Sequence, residues 1–498
     1  MFAPPPTGVK PRLALKPRLA AADLGAVLVL ALLTLLVRGA WIGDPVADFD
    51  EQLYSVIGSG MLEGKVPFTD LWDRKPWGLF AIYAFAHAIG GPGPAAYQGL
   101  AAVFTVAGAA MLYHMARDLT DRVTALGAGM LYILMLSIYG AYSANSEAFF
   151  LPMVIAMALL VRDPQHPRAL ARGLAAMLLG GIALQVKYTV IPLCLFLGLW
   201  VLWGQFRQGM RLPQLAALAV AFGVLGVLPT AAVAAGYAVT GRWDDFVFAN
   251  FVSFFARAPG PWGRWPQPYF LGVILLIVAL VLLGLNAARR KWGRAWPRAY
   301  VFAVLWFAAS AATTFLPATL YLYYIAAMAP AAVLVSLPLF EREGGKGVNF
   351  AVLVPPLFYL ALMPHLYKVS REDRASAQSL ASAIAPLVDA EAGRCLFVFD
   401  GPTALYRMTG SCLPTRFIYP DHLNNALERG ALGIRQEDEV ARILATRPPV
   451  IVTAEEPLTP QNPVAIALVE QAIARDYRPL GRVELHQRMI RSWALRRP

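Results

Sequence analysis

Charge is what this sequence has least of. Asp, Glu, Lys and Arg make up 15% of its 498 residues, while 58% are hydrophobic. A soluble domain averages about a quarter charged residues, so the chain reads as a membrane protein. Cysteine is also scarce, with three in all, and Cys194, Cys395 and Cys412 lack metal-ligand spacing, which argues against a thiolate metal centre. Cys194 sits inside an apolar run and reads as an inert packing residue. Acidic residues are outnumbered, giving a net charge of +12. The basic residues gather in short loops between apolar runs, a footprint of membrane topology rather than of nucleic-acid binding.

Long apolar runs are what the chain has instead. A spanning helix needs about 20 apolar residues, and candidate runs begin near residues 22, 97, 122, 145, 169, 188, 213, 269, 299, 320 and 348. One further run, Trp77 to Ile89, is short. If it does not cross, the inside collects Lys10, Arg12, Lys16 and Arg18, then Arg117, Arg122, Arg162, Arg168, Arg172, Arg207 and Arg211. The 289–298 cluster, Arg342 and Lys346 fall there too, and the outside keeps Arg38, Lys65, Arg74, Lys75, Lys187, Arg242, Arg257 and Arg264. A crossing would put the 289–298 cluster outside, against the positive-inside bias. The expectation is therefore a membrane all-α bundle of about eleven spans, with 77–89 lying at the outer interface. It has a cytoplasmic tail over 1–21, a transmembrane domain over 22–369 with a juxtamembrane loop at 43–96, and a soluble α/β domain over 370–498. That domain lies in the periplasm if the membrane is a bacterial inner membrane.

The first outer loop is dense in carboxylates: Asp44, Asp48, Asp50, Glu51, Glu63, Asp70 and Asp73. Asp48 and Glu51 have capping-box spacing. Leu53, Ile57 and Met61 share a face and Gly64 ends the run, which predicts a short amphipathic helix on the membrane surface. Asp48 and Glu51 thus have structural work available, whereas Asp50 has none beyond favouring the helix dipole. Adjacent helical residues diverge by about 100°, so Asp50 and Glu51 do not form a dyad. Further on, Pro76 suits a first helical position. A helix start flanked by Arg74 and Lys75 suits a phosphate, although both cations also suit snorkelling to lipid headgroups.

An acid pair after the first span, a helix ending Met61-Leu62-Glu63-Gly64-Lys65-Val66-Pro67, and Lys75-Pro76 opening an apolar helix form an ordered set. The set resembles the bacterial relatives of protein O-mannosyltransferases, of the glycosyltransferase family 39 and aminoarabinose transferase types, which share the GT-C fold. Ser143 to Glu147, Tyr323-Tyr324 to Pro330, and Leu405 to Gly410 near Arg416-Phe417 extend the likeness. Lys75-Pro76-Trp77 stands where the family usually has Lys-Pro-Pro. The resemblance implies inverting transfer of a sugar from a polyprenyl phosphate to an acceptor hydroxyl of a glycan, lipid or protein. It gives Asp50 the role of general base and Lys75 that of phosphate ligand. A base is worth typically ~10²–10⁴-fold, and cations stabilise the charge of the departing phosphate.

Lys187, in a short outer turn, is a second candidate phosphate ligand or a boundary lysine. Glu147 suits acceptor orientation, a metal, or a helix-start motif. Glu51 is a further candidate for acceptor or metal, and Tyr323, Tyr324 and Arg257 for substrate contact. No cofactor is strictly implied; a divalent ion shared by Asp50 and Glu147 would rest on two carboxylates. In the 242–268 loop, Phe248, Phe251, Val252 and Phe255 predict one face of an interfacial helix, flanking a lipid chain or serving as an aromatic anchor. The C-terminal part predicts strands at 395–399, 415–419 and 449–453 and helices at 403–408, 437–445 and 464–475. Lying outside, Cys395 and Cys412 could pair. The rival reading is a transporter or lipid flippase. Such proteins place polar groups near the bilayer midplane between related halves, and no such repeat is evident here.

Overall fold

A computed structural model describes residues 21–258, 268–315, 321–340 and 353–496. The basic residues of 1–20, Arg264, Arg342, Lys346 and the start of the run near 348 lie outside them. Among the described residues the membrane region consists of helices joined by loops. Helix α1 (Ala21–Arg38) packs on α4 (Pro94–Ala116) and α5 (Arg122–Ile138); α6 (Ser146–Val161), α7 (Ala169–Leu184), α8 (Ile191–Arg207) and α9 (Leu212–Val239) follow. Among the described residues six helices are long and apolar enough to cross a membrane: Pro94–Ala116, Tyr188–Arg207, Leu212–Val239, Leu271–Trp292, Arg298–Phe315 and Leu322–Leu339. Several of the other expected spans are shorter apolar helices, α5, α6 and α7 among them.

Two helices carry the first loop. Helix α2 (Phe49–Leu62) starts where expected, with the Asp48 carboxylate accepting from the backbone N–H groups of Asp50 and Glu51, and Gly64 ends the loop turn at φ +88°. The reciprocal half of the capping box is absent because Glu51 points inward to other donors. Helix α2 has little wet face, since most of its residues are buried. Its polar side docks the C-terminal domain: Gln52 Oε1 accepts from the Ala404 N–H at 3.1 Å, and the Arg407 guanidinium donates to Ser55 Oγ at 2.9 Å.

Helix α3 (Trp77–Gly90) packs along α2. At 14 residues it is about 21 Å long, short of a ~30 Å hydrocarbon core. Both of its ends meet the C-terminal domain: Arg74, just before it, bonds Glu428, and His87 near its end meets Arg407. A guanidinium only donates, so His87 Nε2 accepts from Arg407 at 3.1 Å and Nδ1 donates to the Gly91 carbonyl. The helices touch at Gly58, where an added Cβ would sit 2.7 Å from Tyr83 Cβ and 2.8 Å from the Ala84 nitrogen. Gly58→Ala therefore wedges backbone from backbone. The expected cost is about 1–3 kcal/mol, read as a lower Tm in detergent with reduced activity.

The loop over 242–256 differs from a regular helix. Residues Phe248–Val252 form a π-helical turn between Trp243–Val247 and Ser253–Ala256. The wider turn changes the register. Phe251, Val252 and Phe255 stay exposed, while Phe248 turns to pack against the C-terminal domain.

The boundary expected at 370 falls inside one continuous helix, Val354–Ile384, which runs from the membrane region into the C-terminal domain. That domain holds a four-stranded sheet ordered β1-β2-β4-β3, from β1 (Phe397–Val398), β2 (Val450–Ala454), β3 (Tyr477–Leu485) and β4 (Arg488–Leu495). β1 runs parallel to β2 and the other pairings are antiparallel. Helices Gln436–Ala445 and Pro463–Asp476 match the expectation. Residues 415–419 do not join the sheet; their one ladder-like bond runs from the Trp72 N–H to the Arg416 carbonyl, at 2.9 Å. The β3–β4 hairpin has no hydrophobic alternation in the sequence strong enough to mark it. Cys395 and Cys412 are disulfide-bonded, and Cys194 is free.

The two regions share their packing. Trp72, from the first loop, is buried in the domain's own core beside Phe417 and His422, with ring centroids 5.4 and 4.7 Å away. At the hairpin tip His486 packs at a tilt against Phe49 and meets the Val46 carbonyl and Asp373.

Candidate active site

Asp50 sits in the first turn of α2, and its side chain is about one-quarter exposed. Its two oxygens have separate donors: the Tyr54 hydroxyl reaches Oδ2 at 3.1 Å and the Tyr419 hydroxyl reaches Oδ1 at 3.2 Å. Lys75 Nζ stands 3.8 Å from Oδ2. Tyr54 follows one helical turn after Asp50, so α2 supplies it, whereas Tyr419 arrives from the C-terminal domain.

Lys75 is placed by its neighbours. The Asp73 carboxylate accepts from the Lys75 N–H at 2.7 Å and fixes the turn into α3. Burial alone would lower the Lys75 ammonium, but Asp50, Asp73, Tyr324 and Glu147 outweigh it and the pKa is raised, so the lysine stays charged. Pro76 caps α3 rather than opening it, and the Leu79 N–H donates to the Gln185 carbonyl at 2.9 Å. The helix start therefore offers fewer free donors than its sequence suggested.

The other expected cations are held by carboxylates. Arg74 makes a two-armed pair with Glu428, and Arg257 donates to the same carboxylate and to the Tyr321 hydroxyl. Glu428 is nearly buried, and its pKa is lowered: burial opposes this, but Arg74, Arg257 and their hydrogen bonds prevail. Lys187 is buried against Glu147, with Tyr324 and Tyr323 ring centroids 4.1 and 5.1 Å from its Nζ. Tyr323 and Tyr324 thus gather at the same end of the bundle as Glu147.

Glu51 is fully buried. Its oxygens accept from Gln98 Nε2 at 2.7 Å and from the Ala144 N–H at 2.8 Å, and burial pushes its carboxyl up to about 7. It ties α2 to α4 and to the loop before α6. Among the described residues, no group of three or more His, Cys, Asp or Glu is arranged to hold a metal ion. Asp50 and Glu147 are each engaged by a different lysine.

Tyr54, Tyr419 and Glu428 escaped the sequence reading. Tyr54 was findable, since it lies four residues after Asp50 on one helical face. Tyr419 and Glu428 act from more than 350 residues away in sequence, and no local pattern marks them. Two residues after Lys75 in the chain, Trp77 lines an apolar cleft of about 450 Å³ between α3, α4, α7 and α9, with Ile82, Phe85, Phe104 and Val233 among its other walls.

Residues 74–232 match the family model described as dolichyl-phosphate-mannose-protein mannosyltransferase. No curated protein matches the sequence. Among solved structures, the crystal structure of ArnT from Cupriavidus metallidurans in the apo state is similar. The TM-score is 0.63 at 16% identity, with 95% of this chain and 98% of that chain covered. That likeness covers helical bundle and C-terminal domain together, and this chain shares the fold of that structure.

Proposed function

We propose that this protein is an inverting glycosyltransferase that moves a sugar from a polyprenyl-phosphate donor to an acceptor hydroxyl at the periplasmic face of a bacterial inner membrane. The observation that carries the reading is the Asp50 carboxylate 3.8 Å from the Lys75 ammonium, at the end of the bundle covered by the C-terminal domain. One sugar phosphate can touch both groups. Asp50 takes the proton of the attacking hydroxyl as the bond to the anomeric carbon forms, and Lys75 stabilises the phosphate as it leaves. Inversion follows when the base and the leaving group lie on opposite sides of the sugar. The cleft that Trp77 lines is apolar enough to hold the first part of a polyprenyl chain.

Arg74 and Arg257 are less available, since Glu428 already balances them. A transporter is disfavoured by the same placement, because the charged groups converge at one end of the bundle. In membranes, Lys75→Ala is expected to lower transfer by about 10²-fold or more, mainly through lost stabilisation of the leaving phosphate. Lys75→Arg retains part of the activity. The measurement is the rate of polyprenyl phosphate release from a polyprenyl-phosphate-linked hexose or pentose. Mass spectrometry of envelope glycans and lipids, with and without the protein, identifies the product. An unchanged profile alongside an accumulated transport substrate would reverse the assignment.

A further inference from the structure

We infer that the C-terminal domain completes the active site by supplying Tyr419 as a positioning residue for Asp50. The inference rests on Asp50 as the base. A carboxylate rotates about its terminal bond and offers about four lone-pair directions, only some of which can face an incoming hydroxyl. Here one phenol from α2 holds Oδ2 and one from the domain holds Oδ1. Lys75, at 3.8 Å, is beyond ordinary hydrogen-bond length and does not fix the rotation. With Tyr54 alone the carboxylate would be tethered at one oxygen and free to swing; with Tyr419 it is held at both.

Tyr419 is itself held firmly. The Trp72 N–H bonds the Arg416 carbonyl, the Trp72 ring packs on Phe417, and the Tyr419 ring lies edge-on to buried His422 at 5.4 Å. Trp72 and Lys75 are three residues apart, so a single anchor sets both the phosphate-side cation and the domain's tyrosine. Burial and the nearby Asp50 charge push the Tyr419 phenol up, which keeps its proton available for donation. Docking of the domain, through Trp72, Gln52 and Arg407, is thereby coupled to the geometry of the base.

The test compares Tyr419→Phe, Asp50→Asn and the double variant in the full-length protein. Release of polyprenyl phosphate from a polyprenyl-phosphate-linked sugar gives kcat, binding of polyprenyl phosphate gives Kd, and Tm is measured in detergent. Tyr419→Phe is expected to lower kcat about 10–100-fold, as misplacement of a reacting group does, with Kd within threefold and Tm nearly unchanged. In the Asp50→Asn background the same change is expected to have no further effect on the residual rate. An unchanged kcat, or an equal loss in both backgrounds, would overturn the inference. If Tyr419→Phe does not fold, 3-fluorotyrosine at 419 alters the donor while keeping the ring: a changed kcat at constant Tm supports the role, and an unchanged kcat refutes it. Full activity in Asp50→Asn would instead remove Asp50 as base, a failure of the proposed function that is separable from that of Tyr419.

Discussion

Asp50→Asn is expected to leave the protein inserted and folded while lowering sugar transfer by about 10²–10⁴-fold, the range for loss of a general base. The substitution keeps the side chain's shape, and an amide oxygen can still accept from one of the two tyrosines. The fold has little else at stake, because Asp48 performs the capping and Glu51 the buried tethering. The partly exposed ion pair with Lys75 adds little stability, since pairs screened by solvent are worth at most about 1 kcal/mol. The measurement is polyprenyl phosphate release at saturating donor, beside Tm in the same detergent. A rate within threefold of the wild type would dismiss Asp50 as base, whatever the fate of the other residues.

The second large effect lies at Glu147. Its carboxylate is the ionic partner of Lys187, and both side chains are nearly buried. Glu147→Gln leaves an ammonium in a pocket of aromatic rings without its counter-charge, and a broken buried pair costs about 3–5 kcal/mol. The expected result is a marked drop in Tm and in the yield of folded protein. Replacing the pair together, Glu147→Gln with Lys187→Met, removes the stranded charge and should recover most of the stability. That double variant also separates two roles for Lys187. If it recovers both stability and transfer, the lysine is a structural partner. If it folds and remains inactive with weakened binding of polyprenyl phosphate, Lys187 contacts the donor. The aromatic rings of Tyr323 and Tyr324 flank the ammonium in either case, so the result also bears on how those tyrosines reach the substrate.

Glu428 shows how the fold redistributes charge that a linear reading would assign to substrate. In the sequence Arg74, flanking the start of α3, suits a donor phosphate, and Arg257 suits a substrate contact. The structure gives both to one carboxylate from the C-terminal domain, and Tyr321 completes the cluster. Partly buried guanidinium groups favour a nearby anion, and here one is built into the chain. Lys75 is the cation left in loose contact with Asp50.

The membrane class, the first-loop helices and the candidates Asp50 and Lys75 are legible along the chain. Those features rest on local physics: apolar length against bilayer thickness, a side-chain cap at Asp48, a glycine at positive φ at position 64, and a proline at the entry to α3. The burial of Glu51, the place of α2 beneath a second domain, the bond of residues 415–419 to Trp72 instead of to a sheet, and the reach of Tyr419 to Asp50 emerge from long-range packing. Each of these depends on contacts between segments far apart in the chain. Local periodicity encodes the shape of a helix or strand but not its partner, and the partners fix where the carboxylates and cations end up.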